Sequence, residues 1–243
     1  MAHAETTPHS EKPQAAAPRD RIIDALMALA GERAFEDITI SEIAHRAGVS
    51  LGDFRDCYPS KGAVLGGFSK RIDRIVLDGS SDDLIGEPAK ERLFDVLMRR
   101  LDAMTPYRAG ISGVLEWARR EPLEGAALNR VALNSFRFML EAAGIEAEGS
   151  VGALKLQGLA IAWTRVLDVW VGDEDAGLAP TMAALDKELT RGASLVARVE
   201  DVHRLTQPLR SIIRAAFDAR RSFGQRRRER AHDRDDGEAV EMT

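Results

Sequence analysis

Between Thr39 and Leu65 the chain is cut into short helical pieces, each with its own start and stop signals. Thr39-Ile-Ser-Glu42 is a capping box: the threonine hydroxyl accepts from the amide three residues on, and the glutamate reaches back. It opens a brief helix carrying Ile40, Ile43 and Ala44. Gly48, free to take a positive φ, ends that helix. Ser50 caps a second short helix, Leu51 to Cys57, and Pro59 stops it. Ser60 caps a longer one whose apolar face is Ala63, Val64, Leu65, Phe68, Ile72, Ile75 and Val76.

The remaining pattern is helical as well. Pro18 suits a first helical turn, and Ile22, Ile23, Leu26, Met27, Leu29 and Ala30 follow at three-to-four spacing. After residue 80 the helices lengthen. Residues 88–104 align Leu93, Val96, Leu97 and Leu101; residues 106–119 carry Ile111, Val114, Leu115 and Trp117. Pro122 opens a segment ending near Gly144, 151–171 is the most apolar stretch, Pro180 opens another helix, and 208–223 is a last one. No alternating strand pattern and no fixed repeat is present, so the expected fold is all-α.

Composition narrows the function classes. The chain has 243 residues, of which 44% are hydrophobic and only 5% aromatic, enough for an aliphatic helical core. The lone cysteine, Cys57, excludes an internal disulfide framework and a cysteine-based zinc site. It reads as a small packed residue or a redox sensor. No run reaches the ~18–20 apolar residues of a membrane span, and the opening residues lack a basic head before an apolar stretch. A cytoplasmic protein with no membrane span is therefore expected. No His, Asp and Glu set has metal-site spacing, no serine lies in a nucleophile motif, and no glycine-rich loop would cradle phosphates. Neither an enzyme nor a cofactor is expected.

The two short helices around Gly48 form a helix-turn-helix pattern, whose second helix can enter the major groove of double-stranded DNA. Thr39 and Ser50, as caps, sit where helix N-termini favour phosphate oxygens. Residues 39–65, TISEIAHRAGVSLGDFRDCYPSKGAVL, resemble the DNA-binding domain of tetracycline-repressor-type (TetR) regulators. The matching elements are Ile43-Ala44, Ala47 to Ser50, Gly52, Tyr58 and Pro59-Ser60-Lys61, with Phe35 and the preceding helix. The resemblance spans about residues 19–78. It implies an N-terminal three-helix DNA-binding domain joined to a larger helical domain that dimerises and holds a small effector.

The resemblance implies a DNA-binding domain over 18–79 and an effector and dimerisation domain over 80–223, while composition alone reads 1–17, polar and alanine-rich, as a disordered arm and 224–243 as a charged flexible tail. The DNA-contact set it implies is Thr39, Arg46, Ser50, Leu51, Gly52, Asp53, Arg55, Asp56, Tyr58 and Lys61. Leu51, Asp53, Arg55 and Cys57 depart from the residues common in that family, and Ala34 replaces a usual glycine. Asp53 can favour the helix dipole or accept from a cytosine amino group, while Asp56 adds negative charge near the reading face.

Trp163 to Leu189 is in turn similar to the C-terminal region of ubiquinone-biosynthesis accessory proteins, lipid-binding relatives of the same fold with a degenerate DNA-binding half. Two functions follow: a homodimeric repressor released from a palindromic operator by an apolar or amphipathic effector, or a lipid-binding accessory protein. Trp117, Phe136, Trp163, Leu167 and Trp170 either line an effector site or form core and dimer seam. Asp173-Glu174-Asp175 reads as a solvated loop or a cation site.

The charge balance, 34 basic against 39 acidic residues, argues against a global pull toward DNA. Residues 19–78 hold nine Lys and Arg against ten Asp and Glu, whereas 220–234 hold seven Arg against Glu229 and Asp233. Any specific contact must come from a few placed cations. The arginine-rich stretch is a solvated extension or an added attraction for phosphate.

Overall fold

A computed structural model of the chain describes residues 16–79 and 86–198; every structural statement concerns these. They contain helices, short 3-10 turns and loops, and no strand. Two units divide the chain, residues 1–192 and 193–243. Of the second, only the helical residues 193–198 are described.

Helix α1 (Pro18–Glu32) begins on proline, whose missing N–H would have no helical partner there. It buries Ile22, Ile23, Leu26, Met27 and Ala30 and is packed by helices on more than one side. A 3-10 turn, Phe35–Asp37, leads to α2 (Ile40–Ala47), α3 (Leu51–Cys57) and α4 (Lys61–Asp78). These are followed by α5 (Ala89–Met104), a 3-10 turn over Thr105–Tyr107, α6 (Arg108–Arg120), α7 (Pro122–Ala142) and α8 (Gly149–Val171). Residues 179–198 form a further helix, α9. The helix expected over 106–119 thus starts two residues late, because Pro106 falls within the 3-10 turn.

Helix α6 lies directly on α1. A methyl group added at Gly110 would sit 3.0 Å from the Met27 carbonyl carbon, and one at Gly113 3.1 Å from that of Ala30. Both would lie closer still to the carbonyl oxygens, nearer than real Cβ atoms approach any heavy atom. Only glycine permits this separation. Further along, Trp117 packs on Phe35 with ring centroids 4.3 Å apart, and Arg120 pairs with Glu36 at 3.0 Å. The second half of the bundle is therefore gripped to α1 and to the turn that precedes α2.

Helix α4 carries the chain from the short helices into the bundle, packing on α1, α5 and α7. Val64, Leu65, Phe68, Ile72 and Val76 are buried, but Ile75 is 52% exposed, so the expected apolar face is narrower by one residue. Asp73 on α4 accepts hydrogen bonds from Arg100 on α5 and from Ser135 on α7, the latter at 2.5 Å. Arg100 is 6% exposed and its guanidinium also faces the rings of Phe136 and Trp163. A charge pair at this depth is tolerated because each ion holds the other and further hydrogen bonds serve the carboxylate.

Two expectations for the later helices change. The α8 stripe divides: Leu156, Leu159, Trp163, Val166, Leu167 and Trp170 are buried, whereas Leu154, Ile161 and Val169 face outward at 39%, 48% and 37% exposure. Asp173 does not lie in a solvated loop. It is 5% exposed and accepts from the Asp175 amide, the Thr181 amide and the Thr181 hydroxyl. Those hydrogen bonds hold its carboxyl below the usual aspartate range. Arg108 adds a hydrogen bond to the Asp173 carbonyl and lies over Trp170, closing the α8–α9 turn. Among the described residues no helix is long and apolar enough to cross a membrane.

Candidate nucleic-acid interface

The short helices are built by reciprocal caps. Thr39 Oγ1 accepts from the Glu42 amide at 3.2 Å and donates to the Glu42 carboxylate at 2.7 Å, while the Thr39 amide donates to the same carboxylate at 2.8 Å. These bonds, with Arg33 alongside at 2.6 Å, pull the Glu42 carboxyl down to about 2. Gly48 ends α2 at φ 62°, a backbone only glycine takes without strain.

Helix α3 has a second capping box that the sequence reading passed over. Ser50 Oγ accepts from the Asp53 amide at 3.0 Å and donates to Asp53 Oδ2 at 2.7 Å; the Ser50 amide donates to that oxygen at 3.2 Å. These bonds lower the Asp53 pKa. The signal was present in Ser50-Leu-Gly-Asp53, an S-x-x-D spacing equivalent to the box at Thr39. Both cap hydroxyls are thus spent on carboxylates, and a phosphate at either N-terminus would meet an acid.

Phe54, at 2% exposure, is the anchor of α3, and Tyr58, at 3%, is packed at its end. The Tyr58 ring lies flush on α4, where a Cβ at Gly67 would come within 2.7 Å of it. The Arg19 guanidinium covers the ring from the α1 side at 4.5 Å. Burial raises the tyrosine pKa. Tyr58, expected at the DNA surface, therefore positions α3 from inside. The outward face of α3 is Leu51, Gly52, Asp53, Arg55 and Asp56, all exposed.

The cations divide into tied and free. Arg46 is held by Glu32 through two hydrogen bonds of 2.8 and 2.7 Å. Lys61 points its ammonium at the carbonyls of Phe35 and Ile38, at 3.1 and 2.7 Å, and lies over the Phe35 ring. Burial there pushes its pKa down. Lys61 thereby closes the 3-10 turn onto α4, and a phosphate would compete with those carbonyls. Arg71 pairs with Asp24 at 2.7 Å and Asp20 at 3.7 Å. Arg55 has no ion-pair partner among the described residues.

The residues expected around an effector fall into three separate contacts. Trp117 faces Phe35, as described; Phe136 meets the edge of Trp163 at 5.8 Å; Trp170 lies under Arg108. Phe136, Trp163, Leu167 and Trp170 are all buried. The arginine-rich residues 220–234 and the expected helix at 208–223 lie outside the described residues, as does most of the arm over 1–17.

A head of two capped short helices at a glycine turn, gripped to a larger helical bundle, is the architecture of a known class. The chain shares its fold with a TetR transcriptional regulator from Nitrosomonas europaea ATCC 19718, at TM-score 0.58 and 22% identity, covering 73% of this chain and 99% of that one. It likewise superposes on a TetR transcriptional regulator from Rhodococcus sp. RHA1, at TM-score 0.51 and 21% identity, covering 72% and 95%. No family model and no curated protein matches the sequence. The similarity of Trp163–Leu189 to ubiquinone-biosynthesis accessory proteins thus rests on the sequence pattern alone.

Proposed function

We propose that the protein is a TetR-type transcriptional regulator, a repressor that binds a palindromic operator as a homodimer and is released by a small apolar or amphipathic effector. The observation that carries this is the outward face of α3. Phe54 and Tyr58 anchor the helix from behind, and Leu51, Gly52, Asp53, Arg55 and Asp56 are left exposed on its outward face. Such a face suits the major groove, with Arg55 reaching phosphate or guanine, Asp53 or Asp56 accepting from cytosine, and Leu51 touching a thymine methyl. The fold it shares with solved regulators supports the same reading.

The exposed stripe of Leu154, Ile161 and Val169 on α8 favours self-association, at a spacing that keeps all three on one side of the helix. A two-fold dimer would set two α3 helices on half-sites about one DNA turn apart. An effector must bind the two states unequally to act. Phe136 and Trp163, buried beside Arg100, and the buried Leu167 and Trp170 suit an apolar molecule that parts them; Trp117, committed to Phe35, suits the seam with the reading head instead. Cytoplasmic residence and the absence of catalysis belong to this reading.

A second reading, a lipid- or isoprenoid-binding accessory protein, is favoured by the two carboxylates and the leucine on the α3 face. Selection of the full-length protein against random duplex DNA separates them. Enrichment of a paired motif supports the regulator; no enrichment, with lipid retained in native mass spectrometry, supports the accessory protein.

A further inference from the structure

The inventory of tied cations leaves the reading head short of charge for DNA, and two arginines outside α2 and α3 supply it. Resting on the regulator reading, we propose that Arg19 and Arg21, in the first turn of α1, form a phosphate clamp that flanks α3 and carries a major part of the electrostatic contact with duplex DNA.

The geometry brackets α3 at both ends. Arg21 Nη1 donates to the Gly48 carbonyl at 3.2 Å, at the turn that leads into α3. Its charge also reaches Asp53, whose pKa it helps to lower. Arg19 is exposed, with its guanidinium over Tyr58, the residue that ends α3. Neither arginine has a carboxylate within ion-pair distance among the described residues. The nearby acids of α1, Asp20 in the first turn and Asp24 in the second, are already answered by Arg71. The first turn of α1 therefore presents two guanidiniums whose charge no carboxylate among the described residues pairs, beside a face that carries Asp53 and Asp56.

Those two carboxylates would repel the DNA backbone, so a cation beside α3 is needed for it to approach closely. Arg21 offsets Asp53 directly. An arginine has five N–H donors in a planar fork, and the Gly48 carbonyl takes one of Arg21's, leaving others for phosphate oxygens. Arg19 lies over the Tyr58 ring and shares a hydrogen bond with its hydroxyl, which occupies one of its five N–H donors and leaves others for an anion.

Fluorescence anisotropy of the full-length protein with mixed-sequence duplex DNA, over a series of salt concentrations, tests this. Each phosphate neutralised contributes about 0.9 to the slope of log affinity against log salt. Arg19→Gln with Arg21→Gln is expected to lower the slope by about 2. Arg21→Lys is expected to retain the Arg21 contribution, and Arg130→Gln, an exposed arginine of α7, to leave the slope unchanged. Thermal melting shows whether each variant folds; if Arg21→Gln does not, Arg19→Gln alone, with an expected loss of about 1, decides. Wild-type protein that binds DNA while the folded arginine variants keep its full slope would overturn the clamp. Wild-type protein with no DNA affinity even at low salt would overturn the regulator reading beneath it.

Discussion

Replacing Gly113 by alanine isolates the seam between α1 and α6. An alanine in a helix interior is favoured over glycine by about 1 kcal/mol from backbone entropy alone. At Gly113 the added methyl would overlap the Ala30 carbonyl, which belongs to the α1 backbone and cannot swing aside as a side chain would. The helices must part, so the penalty falls at the upper end of the ~1–3 kcal/mol cost of overpacking. The net loss is then about 2 kcal/mol, which for a chain of this size lowers the melting temperature by roughly 4–8 °C. Gly66 on α4 is the matched control, because a Cβ there meets nothing within 4 Å. Gly66→Ala is expected to raise the melting temperature by about 2–4 °C. Differential scanning calorimetry of the two variants measures both signs. A Gly113→Ala protein as stable as wild type, or more stable, would refute the contact at this seam.

Three further outcomes follow from named contacts. Arg100→Met strands the Asp73 carboxylate in the interior and is expected to cost about 3–5 kcal/mol in urea unfolding, with Asp73→Asn in the same chain recovering a large share. Lys61→Met frees the carbonyls of Phe35 and Ile38 and is expected to lower the urea midpoint while leaving the salt slope of DNA binding near wild type, opposite to a phosphate-contact role. Glu42, held at about 2 against an ordinary 4.5, binds its proton more weakly when folded. Its contribution is therefore fully present above that ordinary value and is lost as pH falls through the window toward about 2. The difference in urea midpoint between wild type and Glu42→Gln should shrink across that window, and a difference constant with pH would contradict the capping-box assignment.

What was legible in the sequence was local. The Thr39–Glu42 box, Gly48 at positive φ, the Ser50 and Ser60 caps and the proline starts of α1 and α7 all act within one helical turn, and each lies where the spacing expects it. The state of each cation was not legible, because it depends on partners far along the chain. Arg46 is tied to Glu32, Arg71 to Asp24, and Lys61 to backbone carbonyls some 25 residues away. Spacing alone could not show that Arg46 is paired with a carboxylate and Lys61 is half-buried against three carbonyls, while Arg19 and Arg21 have no carboxylate partner among the described residues. Depth was hidden for the same reason. Asp173 lies in an acidic run yet is buried by Thr181, and Arg100 occupies an apolar stripe yet pairs with Asp73. The α1–α6 seam did leave a trace, the run Ala109-Gly110 and Gly113, but only the facing carbonyls of Met27 and Ala30 give those glycines their meaning.

The central claim is that the exposed face of α3 reads base sequence. Its most direct test is the ratio of affinities of the full-length protein for a duplex enriched by selection and for the same duplex scrambled, at physiological salt. A sequence reader is expected to prefer the selected duplex by about 10³-fold or more, with Arg55→Ala and Asp53→Ala each reducing the ratio rather than affecting both duplexes equally. Equal affinity for the two duplexes would contradict the claim.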